Sequence, residues 1–206
     1  MFDGASNFAD SVDTAFLIVL VISVFFLVLI TAMMIFFVIK YNRKRNPVAK
    51  NIHGSIPLEI TWTVIPTLLT LVMFWYGWTG YKEMVNIPED AMKIDVTAQM
   101  WKWTFKYANG VETDTLFVPA NTPVEVFLHS RDVSHAFFVP AFRVKKDVIP
   151  GRTNKAWFIA KPGSYDLACA EYCGLNHSGM YTRVVAIPIA EFNILLENKL
   201  KISGGK

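Results

Sequence analysis

The chain has 206 residues, of which 53% are apolar and 18% are charged, and it carries a net charge of +3. Its mean hydropathy is +0.34, and it contains only two cysteines. This composition excludes a disordered, collagen-like or coiled-coil chain and a small disulfide-stapled protein. It also argues against an ordinary soluble globule, and the net charge is too small to indicate a nucleic-acid partner.

Two uncharged blocks account for the apolar excess, the first at residues 14–39 and the second at 60–81. Each is long enough to cross a hydrocarbon core of about 30 Å at about 1.5 Å per residue. The second block ends in a cluster of Trp and Tyr that is typical of a membrane interface. A cleaved signal peptide is the alternative for the first block, but three acidic residues precede it and no small-residue cleavage motif follows. We therefore predict two membrane spans.

The connection between the two spans, residues 40–58, carries five basic residues and no acidic residue before Glu59. Cytoplasmic loops collect Lys and Arg. We therefore expect this loop inside, both termini outside, and the C-terminal domain in the periplasm or its equivalent.

After Tyr81 the sequence changes to short β-branched or alternating runs separated by turn residues. Six runs predict strands, at residues 93–98, 101–107, 115–118, 124–129, 155–160 and 181–187. Strands at this spacing indicate a β-sandwich or small barrel. The amphipathic segment 189–200 predicts a final short helix with Phe192, Leu195, Leu196 and Leu200 on its apolar side. The chain thus divides into a transmembrane hairpin at 1–81 and a β-rich domain at 82–206.

Both cysteines stand in one run with a histidine and a methionine, spaced Cys169-x3-Cys173-x3-His177-x2-Met180. Thiolate, imidazole and thioether are soft ligands that suit copper or zinc better than magnesium or calcium. His135 is distant in sequence, at a predicted loop-to-strand boundary from which it can meet the cluster. A mononuclear blue-copper site needs one Cys, two His and an axial Met, so the second cysteine has no place in one.

Three interpretations of the two cysteines are open at this point. A disulfide suits an oxidising compartment, although a three-residue spacer makes a tight loop. A structural zinc site with two Cys and two His is chemically sensible, but it leaves Met180 unexplained and normally has a different spacing. A binuclear copper centre with two bridging thiolates uses the whole ligand set, since one His and one weak ligand then complete each copper.

The run over residues 169–180, Cys-x-Glu-x-Cys-Gly-x-x-His-Ser-x-Met, closely resembles the CuA motif of subunit II of the haem-copper cytochrome c oxidases. Four further segments match this family in the same order, namely IPLEITWTVIP at 56–66, QMWKW at 99–103, DVSHAF at 132–137 and KDVIPGRTN at 146–154. The resemblance covers nearly the whole chain. It implies a two-helix transmembrane hairpin followed by an extracytoplasmic cupredoxin-like β-sandwich or barrel with a short C-terminal helix.

The resemblance implies that six residues hold metal: His135, Cys169, Glu171, Cys173, His177 and Met180. The two cysteines bridge a pair of coppers. One copper also takes His135 and Met180, and the other takes His177 and the backbone carbonyl of Glu171. The Glu171 side chain is implied to reach a Mg or Mn ion at the contact with subunit I, whereas the alternative is a solvated loop acid.

Two further residues take roles from the resemblance. Trp101 matches the tryptophan through which electrons enter from cytochrome c, although it alternates with other aromatic residues and can simply pack. Glu59, at the cytoplasmic start of the second span, matches the mouth of a proton-uptake channel completed by subunit I; the alternative is a solvated acid at the membrane surface. His53 and His129 match no metal role, and we expect them in loops or at the surface.

The implied function is that of the electron-transfer subunit of a terminal oxidase. CuA accepts electrons from cytochrome c and passes them to the haem of subunit I, where O2 is reduced to water and protons are translocated. The haems and CuB lie in that subunit, and subunit III and membrane lipid are further implied partners. We expect the bacterial plasma membrane, with the mitochondrial inner membrane as the alternative. Competing functions are a quinol oxidase subunit, the CuA part of a nitric or nitrous oxide reductase, and a membrane-anchored copper-delivery protein.

The strand that carries Trp101 usually has acids and neutral aromatic residues nearby in this family, whereas this sequence has Lys102 and Lys106. The position before Asp147 holds Lys146, where the family commonly has an apolar residue. Residues 82–206 hold 15 Lys and Arg against 13 Asp and Glu, a balance of +2. Mitochondrial-type docking sites are acidic and attract a basic cytochrome c. We therefore expect an acidic or tethered cytochrome c domain as the electron donor, for instance within a supercomplex.

Overall fold

The computed structural model describes residues 4–48, 50–51 and 53–203. Residues 202 and 203 are described by their backbone alone. Within the described part, residues 11–79 form one compact unit, the helical unit. Residues 4–10 and 80–203 form the other, the β domain.

Two long helices supply the helical unit. Helix α1 spans Ala9–Lys40 and helix α2 spans Ile56–Val85. Both are long and apolar enough to cross a membrane, as the sequence predicts, because a helix satisfies its backbone polar groups internally while presenting apolar side chains. Lys40 lies in the last turn of α1 and Glu59 in the first turn of α2, where each charge opposes the partial charge of the helix end.

Threonine hydroxyls in α2 are satisfied within the helix itself. The hydroxyls of Thr63, Thr67 and Thr70 each donate to the carbonyl four residues earlier, at distances of 2.8, 2.6 and 2.9 Å. The last of these carbonyls belongs to Pro66, which lies inside the helix. These internal hydrogen bonds let polar side chains remain in an apolar segment without unpaired donors.

The β domain consists of two five-stranded sheets with the orders β3-β2-β1-β5-β8 and β4-β10-β9-β6-β7. Its strands are β1 (Met92–Gln99), β2 (Lys102–Tyr107), β3 (Glu112–Thr113), β4 (Leu116–Pro119), β5 (Pro123–Ser130), β6 (His135–Val139), β7 (Val144–Val148), β8 (Asn154–Ile159), β9 (Gly163–Cys169) and β10 (Tyr181–Ile187). Helix α3 (Ile189–Ser203) follows β10 almost directly.

Inward side chains of both sheets form the core. The parallel pairing of β1 with β5 places Ile94 opposite Val126 and Val96 opposite Leu128, and all four are at most 1% exposed. Phe137 of the second sheet is fully buried as well. Because side chains alternate along a strand, Asp95, between Ile94 and Val96, faces outward and is exposed.

The phenol of Tyr107 joins the two sheets. Its hydroxyl accepts a hydrogen bond from the N–H of Phe117 at 2.8 Å and donates one to the carbonyl of the same residue at 2.9 Å. Tyr107 ends β2 in one sheet and Phe117 lies in β4 of the other. Burial raises the pKa of Tyr107 to about 12, and the opposing effects of hydrogen bonds with Thr113 and Phe117 are smaller.

Residues 4–8 pack onto the β domain ahead of α1. The N–H of Ala5 donates to the carbonyl of Ala141 at 2.9 Å. Phe8 is buried, and its ring meets that of Trp157 edge to face with centroids 4.9 Å apart. The indole N–H of Trp157 donates to the carbonyl of Glu83 at 3.2 Å, so the last turns of α2 are fixed to the same domain.

The six predicted strands are confirmed, each within one residue of its predicted ends. The start of β6 at His135 matches the predicted loop-to-strand boundary. Strands β3, β7 and β9 were not predicted, because they are short or, like the VKKDV of β7, carry charges where alternation would place apolar residues. The predicted final helix is present as α3. On its predicted apolar side Phe192 and Leu196 are buried and Leu195 is half-buried, whereas Leu200, one turn further along the same side, is 45% exposed.

Candidate metal centre

The candidate ligands lie at the ends of neighbouring strands in the second sheet. His135 begins β6 and Cys169 ends β9, and these strands are paired with Phe137 opposite Cys169. The chain then turns through residues 170–180 and returns as β10. The N–H of Cys169 donates to the carbonyl of Met180 at 3.1 Å, so both ends of this ligand loop are held together.

Two buried thiols lie at the centre of the group. The Sγ atoms of Cys169 and Cys173 are 3.8 Å apart, both cysteines are free, and they are 7% and 3% exposed. Nδ1 of His135 is 3.8 Å from the Sγ of Cys169. These three ligand atoms all lie within 4.8 Å of one another, so paired strands have brought together residues that are distant in sequence.

The other predicted ligands each contact one of the two thiols. Nδ1 of His177 lies 3.6 Å from the Sγ of Cys173, and Sδ of Met180 lies 3.8 Å from the same sulfur. The carbonyl oxygen of Glu171 lies 3.2 Å from the Sγ of Cys169. Met180 is fully buried, whereas His177 is half-buried.

These contacts cross between the two copper pairs that the resemblance implies. In the pair of His135 and Met180, His135 contacts Cys169 and Met180 contacts Cys173. The same holds for the pair formed by His177 and the carbonyl of Glu171. Each thiol therefore contacts one member of each predicted pair.

Asp132 holds the imidazole of His135 in place. Its Oδ1 lies 2.8 Å from Nε2 of that histidine, which leaves Nδ1 facing Cys169. Its Oδ2 accepts the N–H of Met100 at 2.7 Å, and Oδ1 accepts the N–H of Val133 at 2.7 Å. A carboxylate on the far nitrogen of a ligand histidine fixes both the tautomer and the ring orientation.

The pKa values of two groups at the centre are shifted in opposite directions. Burial raises the pKa of the Cys173 thiol to about 11, and its hydrogen bond with Cys169 adds to the increase. Burial also acts to raise the pKa of Asp132, but hydrogen bonds with Met100 and His135 outweigh it, so that pKa is lowered. Near neutral pH the thiol of Cys173 is thus protonated and the carboxylate of Asp132 is charged, so metal binding must release the thiol proton.

Trp101 connects the centre to the protein surface. It lies half-buried in the turn before β2, and its indole N–H donates to the carbonyl of Cys173 at 3.2 Å. The ring packs against Gly174, where a Cβ atom would stand 3.4 Å from the indole. Gly174 also has a φ of +114°, a backbone conformation that residues other than glycine rarely adopt. The aromatic residues with which Trp101 alternates in sequence, Trp103, Phe105 and Tyr107 of β2, are buried in the core.

Exposed apolar side chains surround Trp101 and the ligand loop. This apolar rim consists of Met100, Val133, Tyr172 and Leu175, all of which are exposed. The ring of Tyr172 lies 5.8 Å from that of His177. Large apolar side chains left exposed beside a candidate site favour a contact there with another protein.

The remaining predicted side chains are exposed or, for His129, hydrogen-bonded within the β domain. The side chain of Glu171 is exposed on the ligand loop, and Glu59 is exposed in the first turn of α2. His53 is exposed. In the β domain, Nε2 of His129 lies 3.2 Å from Asp95 and Nδ1 lies 3.2 Å from the hydroxyl of Thr153.

Sequence reasoning assigned no role to Asp132 or Gly174. The available signal for Asp132 was its position, three residues before a candidate ligand histidine. The signal for Gly174 was its position directly after a candidate ligand cysteine. The pairing of Gly174 with Trp101 depends on a contact between distant parts of the chain, which local sequence does not encode.

The donor set fits copper better than the alternatives. Structural zinc takes four ligands, whereas two sulfurs, two imidazole nitrogens, a thioether and a carbonyl oxygen converge here. The two cysteines are free thiols rather than a disulfide. Soft sulfur donors with imidazole are the ligands that copper prefers.

The fold and the site define a class of protein: a β-sandwich domain joined to apolar spanning helices and carrying a buried, sulfur-rich metal centre. Residues 67–187 match the family model described as cytochrome c oxidase subunit II, periplasmic domain. Residues 1–77 match the corresponding transmembrane domain. The chain therefore belongs to the cytochrome c oxidase subunit II family and is a membrane protein.

A curated relative, cytochrome c oxidase subunit 2 of Alkalihalophilus pseudofirmus, is 35% identical over 192 residues. The match covers 87% of this chain and 56% of the relative. The chain thus spans little more than half the length of that relative.

Two solved structures resemble the β domain. The periplasmic domain of subunit II of cytochrome oxidase (CoxB) of Bradyrhizobium japonicum is 32% identical with a TM-score of 0.54, covering 56% of this chain and 98% of that one. The second is a mixed disulfide intermediate between the thioredoxin-like TlpAs and CoxBPD, which is 31% identical with a TM-score of 0.51. This match covers 57% of this chain and 96% of that one. The predicted family and fold class are confirmed: two apolar helices, a cupredoxin-like β-sandwich and a short C-terminal helix.

Proposed function

We propose that this chain is the electron-transfer subunit of a haem-copper terminal oxidase, with a binuclear CuA centre in its β domain. The supporting observation is the crossed pattern of contacts, in which each thiol borders one member of each copper pair. A quinol oxidase subunit of this architecture lacks the copper ligands, whereas all of them are present here.

Cys169 and Cys173 would bridge the coppers, with His135 and Met180 on one and His177 and the carbonyl of Glu171 on the other. When bound, the copper pair takes up and releases single electrons, with the charge change spread over two ions and soft thiolates. The protein supplies rigidity, because paired strands and the closed ligand loop fix the ligand positions. Asp132 keeps Nδ1 of His135 facing the centre.

Electrons would enter through Trp101, whose indole is hydrogen-bonded to the carbonyl of Cys173. In the assembled oxidase, Trp101→Phe should slow reduction by a cytochrome c donor by about tenfold, the change expected when one specific hydrogen-bonded contact is lost. Copper content should stay the same. Tyr181→Phe, an exposed aromatic residue at the start of β10, is the control. Unchanged reduction in the Trp101 variant would remove that residue from the route.

The electron acceptor would be the haem of subunit I, where O2 is reduced to water with proton translocation. The exposed carboxylate of Glu171 is suited to a Mg or Mn ion at that subunit contact, because it projects from the loop that holds the copper ligands. Subunit III completes the proposed complex.

Glu59 would mark the mouth of a proton-uptake channel, since it is an ionisable residue in the first turn of a spanning helix. Glu59→Gln in the assembled oxidase should lower turnover while leaving reduction of the copper centre unchanged. Equal turnover in the variant and the parent would refute this role.

The donor would be an acidic or tethered cytochrome c domain. The apolar rim offers a contact surface, while Lys102 follows Trp101 directly and the domain carries a positive balance. A basic partner would be repelled by such a surface rather than steered to it. We further propose the bacterial plasma membrane, with the β domain in the periplasm, because the connection at 40–58 is basic.

Copper loading would require a thiol reductant. The CoxB relative forms a mixed disulfide with a thioredoxin-like protein, and the cysteine sulfurs here are 3.8 Å apart, close enough for oxidation to join them after a small movement. Oxidised chain should take up copper only after a thioredoxin-like protein or another dithiol has been added. Full copper uptake without reductant would contradict this requirement.

A further inference from the structure

A cavity of about 240 Å³ lies in the β domain beside the last turns of α2. Apolar and aromatic side chains form its floor, among them Phe8, Tyr81, Met84 and Trp157. Four basic residues line its remaining wall: Arg143, Lys145, Lys146 and Lys155. The lining includes no acidic residue from the described part of the chain.

The four basic residues differ in whether they have partners within the protein. Lys155 forms an ion pair with Glu125 at 2.9 Å, and Arg143 has hydrogen-bonded partners of its own. Lys145 and Lys146 are exposed on the edge strand β7, and neither forms an ion pair with any described residue. Two positive charges at the cavity therefore remain open to an anionic ligand.

The position of the cavity places it near a membrane surface. Tyr81 ends the uncharged block of the second span, and Trp and Tyr at such a position sit at the level of lipid headgroups. The cavity is smaller than the roughly 300–1,000 Å³ of small-molecule pockets, so it has room for a headgroup but not for a whole lipid.

We propose that this cavity binds the phosphate headgroup of an anionic phospholipid from the leaflet next to the β domain. Basic pockets beside spanning helices recognise such headgroups through their negative charge. Lys145 and Lys146 contact the phosphodiester, and the floor around Tyr81 and Met84 contacts the glycerol backbone. The acyl chains remain in the bilayer.

Native mass spectrometry of the full chain in neutral detergent tests this site with phosphatidylglycerol and, as the uncharged comparison, phosphatidylcholine. The parent chain should retain phosphatidylglycerol in preference. The double variant Lys145→Gln/Lys146→Gln should bind it roughly twenty-five-fold more weakly, because each basic residue near a membrane surface contributes about five-fold. The matched control Lys93→Gln/Lys201→Gln removes the same charge outside the cavity and should bind like the parent.

Three outcomes would overturn the proposal. Equal retention of the two lipids would show that charge does not select the ligand. An equal loss in the control variant would show that net charge rather than the cavity binds lipid. Displacement of phosphatidylglycerol by an equal concentration of inorganic phosphate would identify a free-phosphate site. The single variant Lys146→Gln, with an intermediate loss expected, provides the measurement if the double variant does not fold.

Discussion

At the scale of single residues, the ligands and the groups that support them differ in how visible they are in sequence. The predicted ligands within residues 169–180 were predictable because their chemistry and close spacing indicate a metal site. Asp132 carries no such chemistry of its own, and its role depends on a hydrogen bond to His135 at 2.8 Å. The contact between Trp101 and Cys173 joins residues 72 positions apart, and this fold-dependent proximity is not encoded locally.

The support given by Asp132 can be measured as copper affinity. Asp132→Asn keeps the size of the side chain but removes the charge that orients His135, so we expect copper affinity to fall about 10- to 100-fold. Competition with a chelator of known affinity gives the value. Asp166→Asn, which breaks only an exposed pair with Arg183 at 3.2 Å, is the control. Equal affinities for parent and Asp132 variant would show that this carboxylate does not position the ligand.

At the scale of elements, strand pairing creates the site. The strands with clear alternation were predictable, and so was the start of β6 at His135. Strand β9, which carries Cys169, was not predicted, because its sequence alternates only weakly. The antiparallel pairing of these strands nevertheless fixes the distance between their ligands. Local sequence patterns therefore indicate the ligands but not the strand pairing that aligns them.

Tyr107 tests the link between the two sheets. Tyr107→Phe leaves both the N–H and the carbonyl of Phe117 without their partner, so the free energy of unfolding should fall by about 2 kcal/mol. Urea unfolding of the β domain within the full chain, followed by tryptophan fluorescence, measures this. Tyr181→Phe, at an exposed position, should change little. An unchanged midpoint for the Tyr107 variant would mean that the phenol does not join the sheets.

The same phenol gives a pH dependence with a definite sign. The pKa of Tyr107 is about 12 in the folded protein, above the ordinary value of 10.0. The unfolded chain therefore loses this proton first, and the stability that the neutral phenol contributes is present below pH 10 and lost as pH rises towards 12. Parent and Tyr107→Phe should differ less at pH 11.5 than at pH 8. A difference that grows with pH would contradict the assigned burial.

At the scale of the whole molecule, the two membrane spans were predictable because long uncharged runs have few alternative structures. The sign of the charge on residues 82–206, +2, leads to a prediction about the donor. An acidic cytochrome c should reduce the assembled oxidase fastest at low ionic strength and more slowly as salt rises, because steering between opposite charges is screened. The rate of reduction is measured by stopped flow at increasing salt, once with an acidic and once with a basic cytochrome c. Fast reduction by a basic, mitochondrial-type cytochrome c that slows with salt would refute the proposed donor.

The central claim is that two bridging thiolates hold a copper pair. Metal analysis combined with electron paramagnetic resonance of the copper-loaded full chain tests it most directly. We expect two coppers per chain and one unpaired electron shared equally by both nuclei, and Cys173→Ser should lose that shared signal because one bridge is gone. A single copper, zinc in its place, or a disulfide between Cys169 and Cys173 under reducing conditions would contradict the account.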